Sequence, residues 1–250
     1  MTEEERSPRH RFNLAIDEDA ARRRLAAARF AVLAATILLT IAVIMLSAGA
    51  VFGRVGLQVL ISFPLFVGLY VVSGSKRVVA VGVILMAAIA VLGLISAMND
   101  EIVPLVLDIG LRAGVIAVLT GWLLVEIVRQ VHISLDTILG GICVYLLLAY
   151  FYAHLYLMLE ILAAGSLISG GRPLDAALGG GHHALGTIAD LLYFSYATLT
   201  TVAYGDIAPA TSLARFVAMT EGMIGQLFPT IFIARLVSLN VAQMGLNSKR

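Results

Sequence analysis

Residues 186–211 read GTIADLLYFSYATLTTVAYGDIAPAT and are the strongest indication of the fold. Its apolar run, Ile188–Leu199, has about twelve residues. That length is too short to cross a hydrocarbon core of about 30 Å, but it suits a re-entrant helix, which enters a membrane and turns back. Thr187 followed by Asp190 has the form of a capping box, which puts acidic charge at the positive end of this helix.

Polar residues follow the short helix directly, in the segment Thr200–Asp206. Non-helical backbone at membrane depth survives only where protein or water surrounds it, so the segment predicts a water-accessible cavity. A half-helix that ends there would point its negative C-terminal end at the membrane centre. That arrangement favours a cation at the same place.

The composition of the whole chain places this stretch in a membrane protein. Of 250 residues, 60% are hydrophobic and 13% are charged, whereas soluble domains carry about 45–50% apolar and about 25% charged residues. This excludes a soluble enzyme with a polar surface, a nucleic-acid binder and a disordered scaffold. One cysteine, Cys143, excludes an intrachain disulfide and a Cys-rich metal cluster. We find no catalytic triad, metal-ligand spacing or phosphate loop, so we predict no enzyme activity and no organic cofactor.

Six stretches of the chain are apolar and long enough to be read as membrane spans. They are 30–52, 55–72, 78–98, 102–127, 138–162 and 213–241. Together with the re-entrant helix and the loop after it, they predict an all-α membrane protein with six transmembrane helices. The segment 163–186, which holds seven of the 23 glycines, predicts a loop on the outer side.

The basic residues predict the orientation and the domain organisation. They cluster before the first span, between the second and third, between the fourth and fifth, and after the sixth, whereas the opposite loops hold Arg54 and Arg172. The positive-inside rule therefore puts both termini of a multi-pass cell-membrane protein in the cytoplasm. We predict a cytoplasmic tail (1–25), a four-helix domain (26–130) and a pore domain (131–250).

Residues 198–206 carry a resemblance to a known family. They read Thr-Leu-Thr-Thr-Val-Ala-Tyr-Gly-Asp, which resembles the pore signature T-x-T-T-V-G-Y-G-D of the potassium channel family. Eight of the nine positions fit, counting the free one. Aromatic residues in the preceding helix, Pro209 and a following span with glycines fit as well. The resemblance covers about residues 137–245.

The resemblance implies how such a segment would work. In such channels four filter strands aim backbone carbonyls at a common axis, where they replace the hydration shell of the ion. The implied K⁺ ligands are the carbonyls of Thr201, Val202, Ala203 and Tyr204, with the Thr201 hydroxyl, and Gly205 completes the filter. Thr198, Thr200 and Asp206 would support the pore, and Tyr204 would brace the filter from behind. One chain supplies a quarter of the ring, so the implied partners are three identical subunits and the membrane lipids, with no nucleic acid.

Ala203 departs from the family pattern, because the family has glycine there in a left-handed backbone conformation. A residue with a Cβ atom costs roughly 1–2 kcal/mol in that conformation. This strain is either absorbed, or it flips the peptide and removes a ring of ion sites. We expect a K⁺-preferring channel with an altered filter.

The last predicted span, 213–241, holds the residues that could gate the pore. Gly222 and Gly225 lie three residues apart and Pro229 follows, and glycine pairs and proline are known causes of helix kinks. These three residues are candidates for a gating hinge; close helix packing by small residues is the alternative for the glycines. Glu221 and Gln226 are costly in lipid, so they are expected to face protein or the cavity. For Glu221 a hydrogen bond with backbone or hydroxyl groups behind the filter is favoured, and attraction of ions is the alternative.

The four helices before the pore resemble the arrangement of voltage-gated channels but lack its charges. A voltage sensor needs several arginines at three-residue spacing in its fourth helix. In the predicted fourth span, Arg112 is the sole arginine and follows Asp108 by four residues, which is ion-pair spacing. We therefore predict weak or absent voltage dependence.

Three other functions compete with a voltage-insensitive K⁺ channel. The chain could form a nonselective cation channel, because Ala203 alters the filter. It could be a non-conducting membrane sensor or subunit with a pore-like fold. A secondary transporter is less favoured, because it would require broken helices in two halves of the chain and one is visible.

Overall fold

The computed structural model describes residues 29–46, 54–72, 76–99, 102–130, 134–174 and 184–247. In chain order its helices are α1 (Arg29–Leu46), α2 (Arg54–Val72), α3 (Lys76–Asn99), α4 (Ile102–Arg129), α5 (Leu135–Leu162), α6 (Ala184–Leu199) and α7 (Ser212–Asn247). The predicted tail, residues 1–25, lies outside the described residues. The chain is thus mostly helical, as predicted.

Four segments are long and apolar enough to cross a membrane: Arg29–Leu46, Ile102–Arg129, Leu135–Leu162 and Ser212–Val241. Helices α2 and α3 contribute shorter apolar stretches, Val59–Leu69 and Ala80–Ile95. A helix therefore forms at each of the six predicted places. The count of six membrane crossings stays a prediction.

Helix α5 connects the first four helices to the rest of the molecule. Its start is defined by a capping box, in which Ser134 and Thr137 each accept from the backbone N–H of the other. Buried residues of α4 and α5, including Leu119, Leu123 and Leu147, share one apolar core with α1 and the pore-side helix α6. The same helix then packs against α6 and α7, so it lies between the two parts of the molecule.

A small sheet, which the sequence did not predict, follows α5. Strand β1 (Leu167–Ser169) pairs antiparallel with β2 (Arg172–Pro173) and with β3 (Ile207–Pro209). The two residues between β1 and β2, Gly170 and Gly171, both have positive φ, at 58° and 78°. A two-residue hairpin turn of this kind requires such angles, which glycine adopts without steric cost.

The sheet holds the outer end of α5 against the segment that follows the pore signature. The Glu160 carboxylate, at the end of α5, accepts hydrogen bonds from the backbone N–H groups of Gly165 and Leu167. The backbone N–H of Ala210 donates to the Ser166 carbonyl over 2.8 Å. The described part of the predicted outer loop is therefore ordered by pairing with β3.

Candidate functional site

The short helix α6 is fixed to α5 by hydroxyl groups that donate to backbone carbonyls. Ser195 Oγ donates to the Ala149 carbonyl over 2.7 Å, and the Tyr196 hydroxyl donates to the Leu146 carbonyl over 2.9 Å. Ser195 is fully buried. Because these bonds lie one after the other along α6, they determine both the rotation and the height of this helix against α5.

The last carbonyl of α6, that of Leu199, is held from two sides. The Tyr145 hydroxyl of α5 donates to it over 3.0 Å. On the other side lies Gly225 of α7, where an added Cβ atom would stand 2.0 Å from the Leu199 oxygen. At Gly222, by contrast, a Cβ atom would have no neighbour within 4 Å in the described residues. Close packing therefore explains Gly225; the hinge role of Gly222, Gly225 and Pro229 stays a prediction.

Backbone hydrogen bonds wrap the pore signature around the C-terminal end of α6. Four consecutive N–H groups point back to carbonyls of the last turns of that helix: Thr200 to Tyr196 (3.0 Å), Thr201 to Thr198 (3.0 Å), Val202 to Ala197 (2.9 Å) and Ala203 to Ala197 (3.2 Å). The amide groups of this segment thus face the helix. The hydroxyl of Thr200 also donates to the Tyr196 carbonyl, over 2.6 Å.

The backbone of the signature alternates between left-handed and right-handed conformations from one residue to the next. Thr201, Ala203 and Gly205 have positive φ, at 59°, 42° and 81°, whereas Val202 and Tyr204 do not. Alternation of left-handed and right-handed residues can turn successive carbonyls to the same side of a strand, which a ring of oxygen ligands requires. Ala203 adopts the left-handed conformation despite its Cβ atom, at a cost of roughly 1–2 kcal/mol.

The signature is uncovered in the single chain. Residues 201–206 are all exposed, and the Tyr204 side chain keeps 72% of its surface accessible. Its ring stacks on that of Tyr193 of α6 at a centroid distance of 6.2 Å.

Asp206 lies at the end of the segment, and Asp190 of α6 lies near it. Burial raises the pKa of Asp190, and the carboxylate of Asp206 raises it further.

A buried carboxylate joins the three helices of this region. Glu221 of α7 has no accessible surface. Its carboxylate accepts a hydrogen bond from the Tyr156 hydroxyl of α5 (2.6 Å) and contacts the Ser195 hydroxyl of α6 (2.5 Å), whose single hydrogen is shared between this carboxylate and the Ala149 carbonyl. This arrangement matches the expected pairing with hydroxyl groups. The sequence did not identify Tyr156 and Ser195; the signal that could have is the need of an intramembrane carboxylate for nearby donors.

Gln226 of α7 contacts the signature directly. Its side-chain amide, Nε2, donates to the Thr201 hydroxyl oxygen over 2.8 Å. The contact follows from the close approach at Gly225, because the neighbouring residue brings the backbone of α7 to the end of α6. The two polar residues of α7 therefore differ in role: Glu221 contacts the pore-side helix, and Gln226 contacts the loop after it.

Two charged residues of α4, Asp108 and Arg112, lie away from the signature and pair with each other. Arg112 Nε and Asp108 Oδ1 are 3.0 Å apart on α4, with side chains only 3% and 4% exposed. The Arg112 guanidinium also donates to Ser62 Oγ of α2 over 2.6 Å. This buried pair fixes α4 to α2 and takes no part in the site around the signature.

Known proteins resemble this same half of the chain. Residues 142–242 match the family model described as Ion channel. The chain is 29% identical over 111 residues to Protein LctB of Bacillus caldotenax, covering 44% of this chain and 78% of that protein. It is 31% identical over 86 residues to Protein LctB of Geobacillus stearothermophilus, covering 34% of this chain and 59% of that protein.

A third relative carries the word potassium in its name. Two pore potassium channel c of Oryza sativa subsp. japonica is 43% identical over 51 residues, which cover 20% of this chain and 11% of that protein. The resemblance to the potassium channel family is confirmed. The residues that match the family model comprise most of α5, all of α6, the signature and most of α7. No solved structure matches the chain.

Proposed function

We propose that the chain is one subunit of a homotetrameric potassium channel, in which K⁺ crosses the membrane passively through a ring of backbone carbonyls. The observation that carries this proposal is the alternating backbone at Thr201, Ala203 and Gly205, wrapped on the C-terminal end of α6. The ion ligands would be the carbonyls of residues 201–204 with the Thr201 hydroxyl. The negative end of the α6 dipole would favour the cation beside them.

The exposed surface of the single chain supports assembly from four copies. Residues 201–206 are exposed, although a filter strand needs three others to close a ring. Exposed apolar side chains also recur along α7 every three or four residues: Phe216, Met219, Met223, Leu227 and Ile231. Side chains at this spacing share one helix face. Neighbouring copies and membrane lipids are the partners that such a face fits.

The ion pair on α4 supports voltage insensitivity. Moving one elementary charge through the membrane field provides about 2.3 kcal/mol per 100 mV. Asp108 and Arg112 lie on the same helix and are paired, so any displacement of α4 moves both charges together and transfers no net charge. The four helices before α5 then act as a voltage-insensitive domain, and both termini are cytoplasmic, as the basic residues predict.

Ion flux into liposomes containing the purified protein tests the proposal. We expect K⁺ uptake to exceed Na⁺ uptake, and Ala203→Gly to raise the K⁺/Na⁺ ratio, because glycine removes the strain of the left-handed position. Equal uptake of K⁺ and Na⁺ by both proteins would favour a nonselective cation channel. Absence of any flux from correctly assembled protein would favour a non-conducting sensor or subunit and overturn the proposal.

A further inference from the structure

Gln226 is held in a defined position beside the pore signature. One residue before it, Gly225 lies so close to the Leu199 carbonyl that no side chain fits between them. One turn earlier, Glu221 is anchored by the hydroxyls of Tyr156 and Ser195. Because α7 is fixed at both of these residues, the backbone at Gln226 is held close to the signature, and Gln226 Nε2 donates to Thr201 Oγ1 over 2.8 Å.

The contact with Gln226 affects how well the Thr201 hydroxyl can bind a cation. A threonine hydroxyl has one donor hydrogen and two acceptor lone pairs. The amide of Gln226 occupies one of the lone pairs, and it brings the positive end of an N–H dipole to the oxygen. A cation that uses the same oxygen must then share it with this donor, which weakens cation binding at that oxygen.

We propose that Gln226 is a specificity-determining residue of the conduction path, which lowers the cation affinity of the innermost filter site by competing for the Thr201 hydroxyl. This inference rests on the proposed function, because that function makes the Thr201 hydroxyl an ion ligand. In a tetramer, four Gln226 amides surround the cavity end of the filter. Their effect on a bound cation increases with its charge.

Block of K⁺ flux by Ba²⁺ measures the affinity of that site, because Ba²⁺ is close to K⁺ in size and carries twice its charge. The measurement uses the full-length protein in liposomes, with Ba²⁺ added on the side of the termini. We expect Gln226→Leu and Gln226→Met to lower the half-blocking Ba²⁺ concentration by about three- to tenfold, the factor that corresponds to one typical hydrogen bond. Ser238→Ala, which removes a hydroxyl bonded to the Ala234 carbonyl within α7 and away from Gln226, is the matched control and should leave it unchanged.

A double substitution separates this role from a structural one. In Thr201→Val the hydroxyl is absent, so adding Gln226→Leu should produce no further change in Ba²⁺ block. An unchanged half-blocking concentration in both Gln226 variants would overturn the inference, as would a shift that persists in the Thr201→Val background. Absence of K⁺ flux from the unchanged protein would overturn the proposed function itself, and this inference with it.

Discussion

The first four helices (α1–α4) and the pore region (α5–α7) use polar groups differently. In the first four helices the hydroxyls of Thr36 and Thr120 donate to carbonyls one turn earlier in the same helix, and the Asp108–Arg112 pair lies within α4. Around the pore signature, hydroxyls instead donate from one element to another, as Tyr145 does to the Leu199 carbonyl. The first part also has a bond between helices, from Arg112 of α4 to Ser62 of α2, whereas around the signature such bonds are concentrated on one short helix, α6.

The difference has a physical basis in the membrane. Lipid tails are as apolar as leucine, so packing holds helices together there without selecting one rotation strongly, and an interhelical hydrogen bond adds about 0.6–2 kcal/mol with a defined geometry. A filter requires its backbone to be placed within a fraction of an ångström. The bonds at Ser195, Tyr196 and Tyr145 supply that placement.

The largest effect on K⁺ flux is expected from Glu221, because three helices meet at its carboxylate. Glu221→Ala leaves the buried Tyr156 hydroxyl without its acceptor and creates a cavity, which together cost about 2–5 kcal/mol. We expect flux per protein to fall by more than about tenfold. Glu221→Gln keeps one acceptor oxygen, so its loss should be smaller. Flux from both variants is measured in liposomes, after tetramer content has been checked by cross-linking.

The matched control for Glu221 lies in the first part of the molecule. Glu126 of α4 is exposed, so Glu126→Ala removes a carboxylate without leaving buried donors behind. We expect its flux to equal that of the unchanged protein. If Glu221→Ala and Glu126→Ala conducted equally well, hydrogen bonds between helices would not be what positions the pore signature, and the comparison between the two parts of the molecule would be wrong.

A smaller effect on K⁺ flux is expected from substituting Gly225. This substitution tests whether the glycine serves close packing or a gating hinge. Gly225→Ala places a methyl group against the Leu199 carbonyl, and such overpacking costs about 1–3 kcal/mol. We expect a three- to tenfold loss of flux, whereas Gly222→Ala, with open space around it, should conduct normally. A hinge that used both glycines would make the two variants equally defective. Flux and the thermal stability of the detergent-solubilised tetramer are the two measurements.

The sequence predicted the parts of this fold that depend on local patterns. The apolar run before Leu199 predicted α6, although this helix begins at Ala184, so Thr187 lies inside it and the expected capping box there was wrong. The match at residues 198–206 predicted a non-helical segment after it. The partners of Glu221 could not be predicted, because Tyr156 lies 65 residues away along the chain and any of several hydroxyls could have met that carboxylate. The β1–β3 pairing was missed for the same reason: three-residue strands carry no periodicity, and Glu160 stabilises the turn through backbone N–H groups.

The smallest effect on K⁺ flux is expected from replacing the ion pair on α4. This replacement tests the first four helices in the same way as the Glu221 variants test the pore region. Removing one partner from a buried pair costs about 3–5 kcal/mol, whereas replacing both by apolar residues is often neutral or stabilising. We therefore expect Asp108→Leu alone to lower the yield of folded protein, and Asp108→Leu combined with Arg112→Met to restore it. The double variant should conduct K⁺ like the unchanged protein and remain insensitive to voltage in bilayer recordings, because the pair carries no net charge. A loss of conduction in a well-folded double variant would mean that α4 is coupled to the pore through more than packing, and that the two parts of the molecule act together.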